Sequence, residues 1–310
     1  RHWDAVTDLT KTGRISQSAR MGRGDAPVSR LYVQSNQALG GQATRWLSML
    51  PTVHNLDSFA YLPEAAGGAG EPVDSWAALM DERWHGRVAL VDEPAIGIFD
   101  AALALQACGE VAFEDIGNLS IREIDAIIAA LEARVRSGHV YGFWRTAAEA
   151  AELMAGGHTV IQSMWSPGLA RLRRMGVAVQ EAVPKEGYRA WHGGLCLARH
   201  LSGRALDAAY DYLNWWLDGW AGAVVARQGY YMSVPSRVRP YLSAEEWAYW
   251  YEGEPTPVDL PGPQGGANVS AGSVRAGGSY WERASSIAVW NTTMDEHNYL
   301  VRRWSQLVER

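Results

Sequence analysis

Arg87-Val88-Ala89-Leu90-Val91-Asp92-Glu93-Pro94 decides how this 310-residue chain folds. The run 87–91 reads as a strand, Asp92-Glu93 as an acidic loop, and the residues from about 97 to 107 as a helix. Just before it, Asp74 or Ser75 caps an amphipathic segment carrying Trp76, Leu79 and Met80, and Gly86 closes that segment. Strand, acidic loop and helix in succession is the grammar of a βαβ unit, so the chain is expected to be an α/β protein.

The same alternation runs outward from this unit. Ser120-Ile121-Arg122-Glu123 carries a helix N-cap signal, and Ile124, Ile127, Ile128 and Leu131 keep helical spacing behind it. Further helices are expected over 147–154, 168–175, 205–220 and about 294–308, with strands over 159–164, 177–183 and 194–198, while 50–61 reads as a strand entering and leaving a polar stretch, a candidate site loop or interlobe crossing. Residues 1–50 read as loops with short helical pieces, 65–72 as a Gly/Ala/Pro-rich linker and 259–278 as an extended surface loop. A chain of this length favours two lobes.

Composition narrows the function. The 15 Trp and 13 Tyr against 4 Phe favour amphipathic rings, which suit partly wet pockets, although core packing accounts for most of them. Two tryptophan-bearing segments, Gln162-Ser163-Met164-Trp165-Ser166 and Gly187-Tyr188-Arg189-Ala190-Trp191-His192-Gly193-Gly194, follow strand-like runs and read as loops. With 88–94 they are expected to converge on one aromatic-lined pocket for a small molecule, and aromatic faces suit a cationic one.

Several classes are disfavoured. A net charge of −6 and only a short basic run, Arg171-Leu172-Arg173-Arg174, do not suit a nucleic acid partner. No apolar run approaches the roughly 20 residues of a membrane span. There is no Gly-x-Ser-x-Gly elbow, His-Glu-x-x-His helix or complete Gly-x-Gly-x-x-Gly loop. The eight histidines are scattered without ligand spacing, so neither a metal site nor a cofactor is expected. Cys108 and Cys196 are expected to be buried free thiols. The chain opens on Arg1 without a secretory signal pattern, which leaves a removed leader or a start inside the gene product as the expectation.

An ordered set of segments carries a resemblance. Ser75-Trp76-Ala77-Ala78-Leu79 leads to Gly86-Arg87-Val88-Ala89-Leu90 and Asp92-Glu93, then to Met164-Trp165 and Pro184-Lys185-Glu186-Gly187. Ala205-Leu206-Asp207-Ala208-Ala209-Tyr210, Gln228-Gly229-Tyr230, Val234-Pro235 and Val289-Trp290-Asn291 continue it. From about Leu50 to the C-terminus the chain resembles the periplasmic spermidine/putrescine-binding proteins of ABC transporters, extracellular solute-binding proteins, through the order of these segments rather than any single motif.

The resemblance implies a two-lobed periplasmic-binding-protein fold of type II, with a ligand cleft between lobes joined by crossing strands. The lobes would be 1–62 with 193–240, and 63–192 with 241–310. Family members usually carry an additional opening strand and helix not found in residues 1–50, so the first lobe is expected either to be incomplete at its N-terminus or to have diverged there. The implied partners are a small-molecule solute and an ABC permease in the inner membrane, with the binding protein a monomer, periplasmic or extracellular and lipid-anchored, its signal peptide removed.

Carried over position by position, the resemblance makes Trp165, Trp191 and Tyr230 the aromatic walls, Asn291 a polar contact near the C-terminus and Glu93 an acid for an ammonium group. His54, Asn55, Asp57 and Ser58 fall where the first lobe contributes a strand-end loop. Two further acids of the polyamine pattern fall at Ile96 and Gly193, so at least two amine anchors are absent. Arg145, where a small polar residue is usual, offers a bidentate fork for an anion. The expected ligand is therefore a small amine-containing or zwitterionic solute, with a polyamine as the alternative. His192, beside Trp191, is a weaker candidate for a pH-sensitive contact. Two other classes stay open: a carbohydrate-active enzyme using Asp92/Glu93, and a sensory ligand-binding module of the same fold.

Overall fold

The computed structural model describes residues 3–66 and 73–309, so most of the linker expected over 65–72 lies outside the described residues. Eight strands matter for the site: β1 (Leu50–Tyr61), β2 (Val88–Val91), β3 (Val140–Trp144), β4 (Ile161–Met164), β5 (Gln180–Glu181), β6 (Tyr188–Leu195), β7 (Tyr231–Met232) and β8 (Ile287–Trp290). The helices used below are α1 (Pro94–Ala107), α2 (Ile121–Ser137), α3 (Ala147–Ala155), α4 (Ser166–Arg174), α5 (Gly203–Trp216), α6 (Trp220–Ala226), α7 (Tyr280–Ser285) and α8 (His297–Val308). The strands join in the order β8-β6-β1-β4-β2-β3, with β5 and β7 also pairing to β1.

By contact the chain divides into two compact units, Arg1–Leu56 with Ala190–Ile287, and Asp57–Arg189 with Ala288–Arg310. The chain crosses the division along β1, β6 and β8. The fold is thus α/β in two units linked by strands, as expected.

In the second unit, β2 runs parallel to both β3 and β4, and the C-terminal half of β1 closes antiparallel on β4, Ser58 opposite Met164 and Tyr61 opposite Ile161. Parallel neighbours require crossovers, which α1, α2 and α3 supply. The caps read from sequence are present. Ser120 and Glu123 form a reciprocal capping box on α2, and Ser75 accepts a bond from the Ala77 N–H at the start of a 3-10 turn, Trp76–Met80. The helix after β2 begins at Pro94 rather than 97, because Glu93 caps it and Pro94, whose missing N–H costs nothing in a first turn, opens it. One core gathers Trp76, Phe99, Ile128, Leu131 and Trp304, and another gathers Trp144, Met154, Met164 and Leu172. Gly97 lets α1 meet α8: a Cβ there would lie 2.3 Å from the Trp304 ring and 2.7 Å from the Val91 carbonyl oxygen.

The first unit pairs the N-terminal half of β1 with β7, Val53 opposite Met232 and His54 opposite Tyr231. Around that pair the rings of His54, Tyr231, Tyr251 and Tyr280 pack with centroids 4.6 to 5.9 Å apart. Arg275 donates to the Tyr231 hydroxyl at 3.0 Å, and Arg283 donates to the Leu56 carbonyl at 2.7 Å. These contacts place 241–287 with the first unit, where the sequence reading grouped 241–310 with the second lobe.

Four expectations change. Residues 54–58 are not a strand-end loop: β1 is one continuous strand of twelve residues, buried through this stretch. Residues 188–195 are strand β6, so Trp191 sits on a strand and not on a loop. The strand expected over 177–183 shrinks to β5, and Cys108 and Cys196 are exposed free thiols rather than buried ones. No helix among the described residues is long and apolar enough to cross a membrane.

Candidate functional site

Because β2, β3 and β4 are parallel, their C-terminal ends reach the same edge of the second unit's sheet. Ligands of open α/β sheets bind outside such ends. Each strand here runs directly into a helix: Glu93 caps α1, Thr146 caps α3 and Trp165 occupies the cap position of α4. Three of the expected site residues, Glu93, Arg145 and Trp165, thus sit at strand-to-helix junctions set by local sequence, and the parallel pairing of the strands brings those junctions to one edge.

Their surroundings differ. Trp165 is half-buried and meets the buried Trp144 edge-on, ring centroids 4.8 Å apart, so one ring anchors the other and part of the Trp165 surface remains open. Arg145 is exposed and already engaged: its Nε donates to the Asp92 carboxylate at 2.6 Å, and its backbone N–H donates to Glu149 at 2.7 Å. Asp92 also accepts from the Trp304 indole N–H at 3.2 Å. Asp92 is thus committed to the fold. Glu93 is exposed and, among the described residues, its carboxylate accepts only from the Ala95 N–H, at 3.4 Å, which leaves the carboxylate open to a cation.

On the first unit, Trp191 of β6 and Tyr230, just before β7, are both half-buried and pack edge-to-face at 5.4 Å. The neighbouring His192 is pushed down in pKa by burial, an effect that Asp25 opposes.

The remaining expected contacts already make bonds or lie buried within the described residues. His54 is buried, its Nε2 is 3.0 Å from the Tyr280 hydroxyl, and desolvation, helped by His192, lowers its pKa to about 3. Asn55 is fully buried, and the Ser58 hydroxyl donates to the Ala182 carbonyl at 2.7 Å. Asp57 lies 3.7 Å from the guanidinium of Arg189, and Asn291 accepts from the same guanidinium at 3.5 Å.

Arg189 is the residue the sequence reading missed. It is fully buried on β6 and donates from Nε to Asp100 of α1, equally buried, at 2.6 Å. Burial raises the Asp100 pKa, while Arg189 and Ser163 pull it back toward the charged form. A signal for it was present: Arg189 between Tyr188 and Ala190, and Asp100 between Phe99 and Ala101, are lone charges in apolar runs, and a buried charge needs a partner.

Residues 32–250 match the model of a family described as bacterial extracellular solute-binding protein. Among curated proteins none matches the chain in sequence. Several solved structures are similar. An ABC transporter substrate-binding protein from Bradyrhizobium japonicum USDA 110 is 16% identical with a TM-score of 0.57, over 84% of this chain and 70% of that one. The TpPotD lipoprotein of Treponema pallidum is 11% identical with a TM-score of 0.58, over 99% and 78%. The binding protein MotA from A. tumefaciens B6, in complex with glucopine, is 16% identical with a TM-score of 0.50, over 92% and 76%. At these identities the likeness shows the fold.

Proposed function

The chain belongs to the bacterial extracellular solute-binding protein family, and from that membership we propose that it captures a small amine-containing or zwitterionic solute for an ABC importer. Family membership places its work outside the cytoplasm. A monomer, periplasmic or lipid-anchored, handing its cargo to a membrane permease, is the form this reading takes, and it is a carrier rather than a catalyst.

One observation carries the ligand class: at the strand-end edge a half-open tryptophan, Trp165, stands with an exposed acid, Glu93, that pairs with no cation among the described residues. An ammonium group gains from a ring face and from a carboxylate together. Arg145 spends its Nε on Asp92 but stands exposed, so its guanidinium can also meet an anionic group of the same solute. Trp191 and Tyr230 give the first unit a second aromatic surface of the same kind. The polyamine reading is supported by Glu93 and by the name of one similar structure, "Putative spermidine/putrescine ABC transporter from Listeria monocytogenes", but Asp92, the neighbouring acid, is taken by Arg145 and Trp304.

The test is a thermal-shift screen against polyamines, amino acids, betaines and simple sugars, followed by titration calorimetry. Binding adds RT ln(1 + [L]/Kd), so a micromolar ligand at millimolar concentration stabilises by about 4 kcal/mol. Trp165→Ala is expected to weaken the best ligand by ~1–2 kcal/mol, and Glu93→Gln to weaken amines selectively. Equal affinity of both variants and the parent for that ligand would remove this edge from recognition. Shifts with sugars alone would overturn the amine reading.

A further inference from the structure

Away from the strand-end edge, the second unit brings together three metal-ligating side chains that share no spacing pattern in the sequence. Glu82 opens the 3-10 turn Glu82–Trp84 and His85 ends it, while His139 immediately precedes β3. The backbone joins the two places: the Gly86 N–H donates to the His139 carbonyl at 3.0 Å. As a result one ligand atom of each side chain lies within 4.8 Å of the other two, and the two imidazole rings stand edge-on at 6.0 Å.

The state of His139 points to a ligand. The ring is fully buried, and Nε2 lies 3.0 Å from the Leu79 carbonyl oxygen. A carbonyl only accepts, so Nε2 carries the proton and Nδ1 keeps its lone pair. That Nδ1 is buried and has no hydrogen-bond partner. A neutral imidazole held by a backbone carbonyl, with its other nitrogen bare, is the arrangement in which histidines meet metals. The acid is also the available one, because the neighbouring Asp81 is occupied by Arg83 at 2.9 Å.

We propose that Glu82, His85 and His139 form a binding site for a divalent transition metal of the zinc type. Two imidazoles and one carboxylate suit zinc and its neighbours rather than calcium or magnesium, which prefer oxygen throughout. Metal–nitrogen distances of about 2.0–2.1 Å put tetrahedral ligands ~3.3 Å apart, so the side chains must draw in from their present separation. Glu82 and His85 are exposed and can do so, at the expense of the 3.3 Å contact they now make with each other. A water would complete the coordination. The bound metal would tie the turn before β2 to the entry of β3 and so stiffen the second unit. The site is independent of the solute reading.

The experiment uses the untagged full chain, freed of metal with EDTA, titrated with Co2+ and then competed with Zn2+. One equivalent of Co2+ with the visible bands of a tetrahedral nitrogen–oxygen site, displaced by Zn2+, is the expected result, together with a rise in unfolding temperature on adding Zn2+. His139→Ala risks unfolding a buried position, so the decision rests on the exposed pair: His85→Ala and Glu82→Gln should each weaken uptake by about tenfold or more. No saturable uptake, uptake unchanged in both variants, or a thiolate-to-cobalt charge-transfer band implicating Cys108 or Cys196 would each overturn the assignment.

Discussion

Two helices of fourteen residues behave oppositely. In the second unit, α1 buries nine of its residues, including Ile98, Phe99 and Leu103. In the first, α5 buries none, and Tyr210, Tyr212 and Trp215 stand exposed along it. The difference follows from pattern and surroundings together. Apolar on nearly every face, α1 lies between the sheet and the helices α2 and α8. By contrast α5 is amphipathic, and the rings of Tyr212, Trp215, Trp216 and Trp220 pack on one another instead of on a core. Its Tyr210, Leu213 and Asn214 help line an open depression of about 450 Å³ with Trp3, Trp46 and Leu47. An amphipathic stripe announces that a helix has a face to cover, not that the face is covered.

The contrast is broken most severely through the one charge inside α1. Arg189→Met leaves Asp100 buried without its 2.6 Å partner and should cost about 3–5 kcal/mol, read as a fall in the urea midpoint. A loss below 1 kcal/mol would mean that water or another cation takes over, and that the interior of α1 is less closed than its packing indicates.

In the first unit the buried titratable counterpart is His54. Its folded pKa, about 3, lies below the ordinary 6.5 of the unfolded chain. The unfolded state therefore takes a proton first as pH falls, and the stability His54 contributes above pH 6.5 is lost between there and pH 3, at about 1.4 kcal/mol per pH unit. Chemical denaturation at several pH values should show this slope, and His54→Gln should flatten it. An unflattened slope would assign the acid sensitivity to other groups.

The smallest effect belongs to α5. Trp215→Ser should change the unfolding free energy by no more than about 0.5 kcal/mol, as surface substitutions do, whereas a loss several times larger would show that in solution this face is covered.

The sequence by itself determined part of the short-range structure. The alternation around 87–107, the Ser120/Glu123 capping box and the placing of Glu93 and Trp165 just after strands follow from propensity, capping and period, which act within a few residues, whereas the strand 140–144 before Arg145 was not legible in the sequence. Tertiary structure alone decided the rest. It made 54–58 the middle of a buried strand, because β7 pairs beside His54 and β4 beside Ser58. It also assigned 241–287 to the first unit through Arg275, Tyr280 and Arg283. Long-range packing joined Arg189 to Asp100, and His139 to Glu82 and His85. A hydrogen bond or a ligand set spanning tens of residues leaves no period in the chain; it exists only where folding lowers the free energy of charges and lone pairs that must leave water together.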